Sequence, residues 1–554
     1  LFPVISAALL ISWIVSVMVA PLFGYKLIRV KVKTDADGKA DPYGSRFYTY
    51  FRRLLAWFLT HRKLVLLGTV AIFGVSVFML RYVKQEFFPP SLRPEIIVEM
   101  NLPEGSSQKA AGAEAARFAK MLEQDKDLYE NYSYYVGEGA PRFVLTIDPV
   151  LEADNYAQFV VVAKDAESRK ELSERLEQKL ADEFPGVRSN IKFIQTGPPA
   201  AYPVMLRVSG YDKDKVRELA EQVADRVAED PNNKDINFDW SEKSKVMHLE
   251  LDQDKLRAMG ISGQEVAQTL YAELSGASAA QYYAGDRTID IQLRLKDDDR
   301  QDLSKIKDIP IYLGASGYVP LEQIAKISYQ AENGLIWRRN LKPTITVRAN
   351  VREGTANDAT EKAYEATKDL REHLPLGYSI DVDGALSDSE DSMEYLMVPI
   401  PAMVIIIMTL LMFQLRSIKQ VMLALFTAPL GIIGVTFGLL FTGTAMGFVA
   451  ELGVLALSGM IIRNSVILID QIQKHLADGE SPWDAVVDSA VLRFRPIMLT
   501  AAAAILGMLP LMTSTFWGPM AVAIASGLFV ATVLTLLVLP TMYAACYKVQ
   551  REED

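Results

Sequence analysis

The 554 residues include one cysteine, Cys546, so the chain can form no internal disulfide and offers no paired thiolates for metal or redox chemistry. Four histidines, His61, His248, His373 and His475, are scattered and show no metal-ligand spacing. There is no Walker-type phosphate loop and no nucleophile elbow. Gly105, Gly137 and Gly139 read as turn glycines, and the acidic run Asp297–Asp299 reads as a solvated face rather than calcium ligands. These absences exclude the common enzyme constellations. The chain is expected to be no enzyme, to need no cofactor and to hold no metal site.

What is abundant is apolar sequence, unevenly spread. Half of the residues are hydrophobic, against a formal net charge of -10. Runs long enough to cross a bilayer, roughly 20 residues, occur at Leu1–Gly24, Leu64–Tyr82, Tyr395–Phe413, Val421–Phe441, Leu452–Ile472, Pro496–Met512 and Val522–Cys546. Between the second and third lies the polar stretch Gln85–Glu394. Lys26, Arg29, Lys31, Lys33, Arg52, Arg53, Arg62 and Lys63 follow the first run, and Arg416, Lys419, Lys474, Arg493, Arg495, Lys548 and Arg551 fall in alternate later connections. The other connections, Thr442–Glu451 and Thr513–Met520, contain no Lys or Arg. By the positive-inside rule the basic loops are cytoplasmic and the large insert is outside.

The first run begins at Leu1 without an initiator Met or a basic leader, and is too long for a signal peptide. We expect the C-terminal part of a longer protein. Asp41–Lys63 interleaves Phe47, Tyr48, Phe51, Leu55, Trp57 and Phe58 with Arg46, Arg52, Arg53 and Arg62, as an amphipathic helix at the cytoplasmic interface does.

The insert repeats one pattern four times. Strand Glu95–Leu102, helix Ser107–Glu123 and strand Tyr132–Val136 form the first unit; Ala157–Ala163, Ser168–Phe184 and Ile191–Ile194 the second. Val204–Ser209, Lys213–Glu229 and Ile236–Asp239 form the third; Thr344–Asn350, Ala356–Leu374 and Tyr378–Val382 the fourth. Pairs of such βαβ units build ferredoxin-like split sheets. The second pair is interrupted by Lys243–Asn333, which reads as a small α+β domain with strands Val246–Leu251, Thr288–Leu295 and Ile309–Leu313, a helix near Gly263–Leu274 and a loop around Gly276–Asp286.

One residue stands out in the membrane. Arg463 lies inside Leu452–Ile472, where a guanidinium costs from about 3 to beyond 10 kcal/mol depending on the scale. It needs a carboxylate, yet Glu451 and Asp470 sit at the ends of that helix and the other runs contain none. A carboxylate that pairs with it when ionised and releases it when protonated would couple proton entry to helix movement, because Arg itself does not titrate. The plainer reading is snorkelling to the cytoplasmic interface. Arg493 and Thr500, seven residues apart, share a face of the next helix; Arg493 also fits a positive-inside anchor, and Thr500 a back-bond to its own helix.

Arg493-Phe494-Arg495-Pro496-Ile497-Met498-Leu499-Thr500, Gly507-Met508-Leu509-Pro510-Leu511, Leu256–Ser262, Gly459–Ile469, Ala531–Leu534 and Val538-Leu539-Pro540 together resemble the C-terminal half of a resistance–nodulation–division (RND) efflux transporter. The branch implied is the one exporting hydrophobic and amphiphilic compounds. The resemblance implies a polytopic α-helical membrane protein with a large α+β periplasmic insert of ferredoxin-like porter subdomains and a docking subdomain. Its parts would be a transmembrane helix at 1–26, sixth of twelve; an interfacial helix at 41–63; a transmembrane helix at 64–84; porter subdomains at 88–198 and at 199–242 with 334–387; docking at 243–333; and five transmembrane helices at 395–546. It implies a proton/drug antiporter of the bacterial inner membrane, working as a homotrimer with a periplasmic adaptor and an outer-membrane channel. Arg463 falls at the family's relay lysine, and Arg493 and Thr500 match its arginine and threonine. The relay carboxylates would belong to the missing N-terminal half, without which the chain should not transport. Phe143, Phe193 and Tyr202 are candidates for lining the substrate cleft, with packing in the core as the competing reading. Tyr135–Phe143 is shorter than the switch loop of the familiar drug pumps. Two rival readings are a heavy-metal cation pump, against which we set the misplaced Met100, Met121, Met205, Met247 and Met259, and a non-transporting scaffold half.

Overall fold

The computed structural model describes residues 2–27, 43, 45–88, 91–197, 200–300, 302–313 and 317–551. Arg29, Lys31, Lys33, Asp41 and Pro42, and Pro198 and Pro199 at the expected subdomain boundary, lie outside the described residues. The chain divides into two compact units, Leu1–Pro89 with Glu390–Asp554, and Pro90–Ser389.

The first unit is helical. Among the described residues six helices are long and apolar enough to cross a membrane: Arg62–Leu80, Ala385–Leu415, Ile418–Thr442, Phe448–Ala477, Pro482–Thr513 and Gly518–Cys546. Helix Phe2–Leu27 adds the shorter apolar stretch Leu10–Lys26. The expected start at Pro496 is corrected. That helix begins at Pro482, after the Ser481 side chain accepts the Asp484 N–H at 3.2 Å, and runs through Pro496 to Met508. An interior proline is tolerated in membrane helices because neighbouring groups satisfy the freed carbonyl.

Gly518–Cys546 is the central helix, buried on most sides and packed against Gly431–Thr442, Phe448–Ala477 and Pro482–Met508. Its approach to Gly431–Thr442 depends on small residues. A Cβ on Gly434 would lie 2.4 Å from the Ser526 carbonyl oxygen, and one on Gly527 would lie 2.9 Å from Val435 and 2.2 Å from Leu457 of Phe448–Ala477. Such close backbone approach is how membrane helices gain dispersion without a hydrophobic driving force. The amphipathic segment is a helix over Arg46–Thr60, and its apolar face is not left free. Phe51, Leu55 and Leu59 are buried in one core with Leu468, Ile472, Val486 and Leu539, while the Phe494 ring packs at a tilt against Phe47 and Phe51.

The second unit contains two sheets of alternating helix and strand origin. In the first, the spatial order is Tyr129–Val136, Tyr156–Ala163, Glu95–Asn101, Arg188–Phe193, all antiparallel. Helices Gln108–Leu122 and Ala166–Glu183 pack over Ile96, Val98, Met100 and Phe159. In the second, Lys342–Val351 lies between Val204–Ser209 and Asn233–Phe238, with Ser379–Val382 on the far side of Val204–Ser209. Lys213–Ala228 and Ala356–Ala366 cover Leu206, Val208, Ile345 and Val347. The expected helix Ala356–Leu374 breaks at Thr367, whose hydroxyl donates to the Tyr364 carbonyl at 2.7 Å.

The interrupting segment pairs Lys243–Leu251 with Ala325–Asn333 over a core of Leu256, Val266, Ile311, Val319 and Ile324. The loop expected around Gly276–Asp286 is instead strand Ala277–Ala284 of a hairpin with Arg287–Leu293. Its Ala- and Ser-rich start carries no alternation to read, and Gly285, at φ 65°, makes the turn. Tyr282, Tyr283, Ile289, Ile291 and Leu293 are all exposed.

Candidate functional sites

Arg463 is the sixteenth residue of the thirty in Phe448–Ala477, so it stands about 22 Å from either end. It is exposed on the surface of the unit, while Asn464 and Ser465 beside it are buried. Among the described residues it has no hydrogen bond and no carboxylate within 4.0 Å. Asp470, two turns on, is paired with Lys474 at 2.7 Å.

Arg493 is half-buried and donates through Nη2 to Gln471 Oε1 at 2.7 Å, leaving its buried Nε without a partner. Thr500 is exposed and donates to the Ile497 carbonyl at 2.9 Å, the back-bond that a membrane threonine makes when nothing else is offered. No hydrogen bond joins any two of Arg463, Arg493 and Thr500 among the described residues. Gln471 and the buried Thr427–Ser465 hydroxyl pair at 2.7 Å are polar groups of this region that the sequence pattern does not mark. For Gln471 the only signal is an amide beside Asp470 inside an apolar run.

The second unit holds a cavity of about 270 Å³ lined from both sheets. Strand Glu95–Asn101 sends Ile96, Val98 and Met100 to its helices and Ile97 and Glu99 to the opposite face. Lys342–Val351 likewise turns Ile345, Val347 and Ala349 inward and leaves Arg348 at the cavity. Of the expected cleft residues, Phe193 and Tyr202 line this cavity and Phe143 does not. Tyr202 is buried with the Arg348 guanidinium 4.8 Å from its ring centroid; Phe193 is 39% exposed beneath Arg169, and Phe143 is 47% exposed, so these two phenylalanines are not core.

Glu99 is the cavity's acidic hub. It receives Lys192 Nζ at 2.5 Å, Asn190 Nδ2 at 3.0 Å and the Tyr156 hydroxyl at 3.3 Å. Burial would raise its pKa, but Lys192 and the bonds from Asn190 and Tyr156 override that and hold the carboxyl below its ordinary value. Tyr156 is pushed far up by burial and by Glu99, and stays a neutral donor. Arg348 donates to Asn237 Oδ1 at 3.0 Å and to the Phe238 carbonyl at 2.9 Å, both neutral. Burial lowers its pKa without removing its charge. Among the described residues no group of three His, Cys, Asp or Glu side chains could hold a metal ion.

The sequence profile of the AcrB/AcrD/AcrF family matches residues 2–547. The nickel and cobalt resistance protein CnrA of Cupriavidus metallidurans is 28% identical over 383 residues, covering 67% of this chain and 34% of that protein. The nickel-cobalt-cadmium resistance protein NccA of Alcaligenes xylosoxydans xylosoxydans is 25% identical over 578 residues, covering 99% of this chain and 51% of that protein. Two crystal forms of a heavy metal efflux pump superpose with TM-scores of 0.73 and 0.74 at 21% and 20% identity, each covering 90% of this chain. They share its fold. The chain spans about half the length of these solved structures and half or less of the curated relatives.

Proposed function

Because the chain belongs to the AcrB/AcrD/AcrF family of RND efflux transporters, a multi-pass inner-membrane protein with a large periplasmic domain, we propose that it serves proton-driven export of divalent metal cations of the nickel and cobalt type. The observation that carries this is the similarity to NccA, named for nickel, cobalt and cadmium resistance, along 99% of the chain. The expectation of hydrophobic and amphiphilic substrates is withdrawn on that ground. Methionine triads suit soft monovalent ions, whereas nickel and cobalt favour nitrogen and oxygen ligands, so the placement of the methionines does not count against these metals.

In this reading 88–198 and 199–242 with 334–387 are ferredoxin-like porter subdomains, 243–333 is a docking subdomain, and the helix at 41–63 lies on the cytoplasmic side. The exposed hairpin Ala277–Ala284/Arg287–Leu293 suits burial against a neighbouring copy in a homotrimer, with an adaptor and an outer-membrane channel completing the assembly. Arg463 is the cationic member of the proton relay, with Arg493 and Thr500 on the adjoining helix. Its carboxylate partner lies outside these residues, in the other half of a transporter this chain represents in part. Arginine in place of lysine makes the partner alone titrate. Cells expressing the whole transporter should gain tolerance to nickel and cobalt, lose it with Arg463→Ala, and show no matching change toward detergents and biocides. Tolerance confined to detergents and biocides would refute the metal assignment.

A further inference from the structure

The cavity between the two sheets carries more positive charge than its own acids satisfy. Three cationic side chains, Arg188, Lys192 and Arg348, line it against two acids, Glu99 and Asp148, and Glu99 is spent on Lys192, Asn190 and Tyr156. Arg348 faces the cavity with no carboxylate within 4.0 Å among the described residues; its Nε and Nη2 are used on neutral acceptors, and Nη1 has no partner. Arg188, on the opposite sheet, also lines the cavity. Its Nε is buried and unpartnered, and its one ion pair is a 3.5 Å contact to the largely exposed Glu242. The Thr146 hydroxyl, another lining group, is buried and unpartnered as well. The lining thus carries an excess of positive charge, which disfavours a bare divalent cation. Arg348, with no carboxylate within 4.0 Å among the described residues, and Arg188, held only by that exposed pair, call for an anionic ligand, because a buried charge is costly unless paired.

We propose that this cavity is a binding site for a small organic carboxylate. Arg348 Nη1 and the unpartnered Nε of Arg188 can each donate a charge-assisted bond to a carboxylate oxygen, and Thr146 supplies a hydroxyl that can donate to a third oxygen. Ile97, Ile194, Phe193 and Ala201 line the remaining wall and give the ligand's carbon skeleton an apolar surface, which inorganic anions could not use. The volume, about 270 Å³, falls just under the range of drug-sized pockets and suits a metabolite of a few carbons. The idea deepens the metal-export reading, on which it rests for its role: a site lacking a ligand cluster of its own would accept a metal ion as its carboxylate chelate, the carboxylate oxygens meeting Arg348 and Arg188.

The test is calorimetric titration of the purified whole transporter with citrate, with nickel chloride, with the equimolar nickel–citrate mixture and with inorganic phosphate. Citrate should bind saturably with and without nickel, and Arg348→Gln and Arg188→Gln should each weaken it by about tenfold or more. Arg348→Lys should recover only part of the loss. Melting curves identify any variant that fails to fold; Arg188, with a side chain 26% exposed, is the safer of the two. No citrate binding to the wild type, equal binding to the folded variants, or phosphate binding more tightly than citrate would each overturn the proposal. The metal reading fails on a different result, unchanged nickel and cobalt tolerance, so the two can be separated.

Discussion

At Glu99 a buried carboxylate is kept ionised by Lys192, Asn190 and Tyr156. Glu99→Gln removes the anion and leaves an ammonium only partly open to water, and should destabilise the α/β unit by about 3 kcal/mol, the lower end for a broken buried pair. The sign with pH follows from the lowered carboxyl. Its stabilisation is fully present above the ordinary value of 4.5 and is lost as pH falls through the lower folded value. Chemical denaturation should therefore show the wild-type advantage over Glu99→Gln at neutral pH shrinking in acid. Asp488→Asn makes the contrast: its pair with Arg52 has side chains 35% and 45% exposed, so the same assay should register under about 1 kcal/mol. Neither Glu99 nor Arg348 was singled out from sequence. A glutamate in Ile96-Ile97-Val98-Glu99-Met100 was visible, but which residues would neutralise it depends on strands ninety residues away.

Among the elements, the Gly431–Thr442 and Gly518–Cys546 helix pair depends on the missing Cβ at Gly434, where an alanine would meet a backbone oxygen rather than a movable side chain. Gly434→Ala should cost about 1–3 kcal/mol by overpacking, seen as a lowered melting temperature in detergent, whereas Gly459→Ala, with nothing within 4 Å, should be neutral. The hairpin Ala277–Ala284/Arg287–Leu293 packs on little of its own unit. Replacing its exposed Tyr282, Tyr283 and Ile289 by serine should leave the fold intact and shift the whole protein from trimer to monomer in light scattering; an unchanged trimer would remove the hairpin from the interface. Helical elements were legible because twenty apolar residues in a row admit few other solutions, and the βαβ units because Val216, Leu219, Val223 and Val227 keep helical period beside apolar strands. The Ala277–Ala284 strand was not, since alanine and serine carry no period. Nor was the helix start at Pro482, where Trp483, Asp484 and Asp488 hide an amphipathic turn within polar sequence.

For the molecule as a whole, one charge stands apart: Arg463, midway along a thirty-residue helix and without a carboxylate partner among the described residues. Its position was readable from the sequence alone; the cavity was not, because its lining comes from strands of both sheets far apart in the chain. The most direct measurement is uptake of radiolabelled nickel into inverted vesicles containing the whole transporter, with an imposed proton gradient. Nickel should accumulate only with the gradient, and Arg463→Ala should abolish that accumulation while the protein remains folded and trimeric. Accumulation undiminished by Arg463→Ala, or none in the wild type under a full gradient, would rule out proton-driven metal export through Arg463.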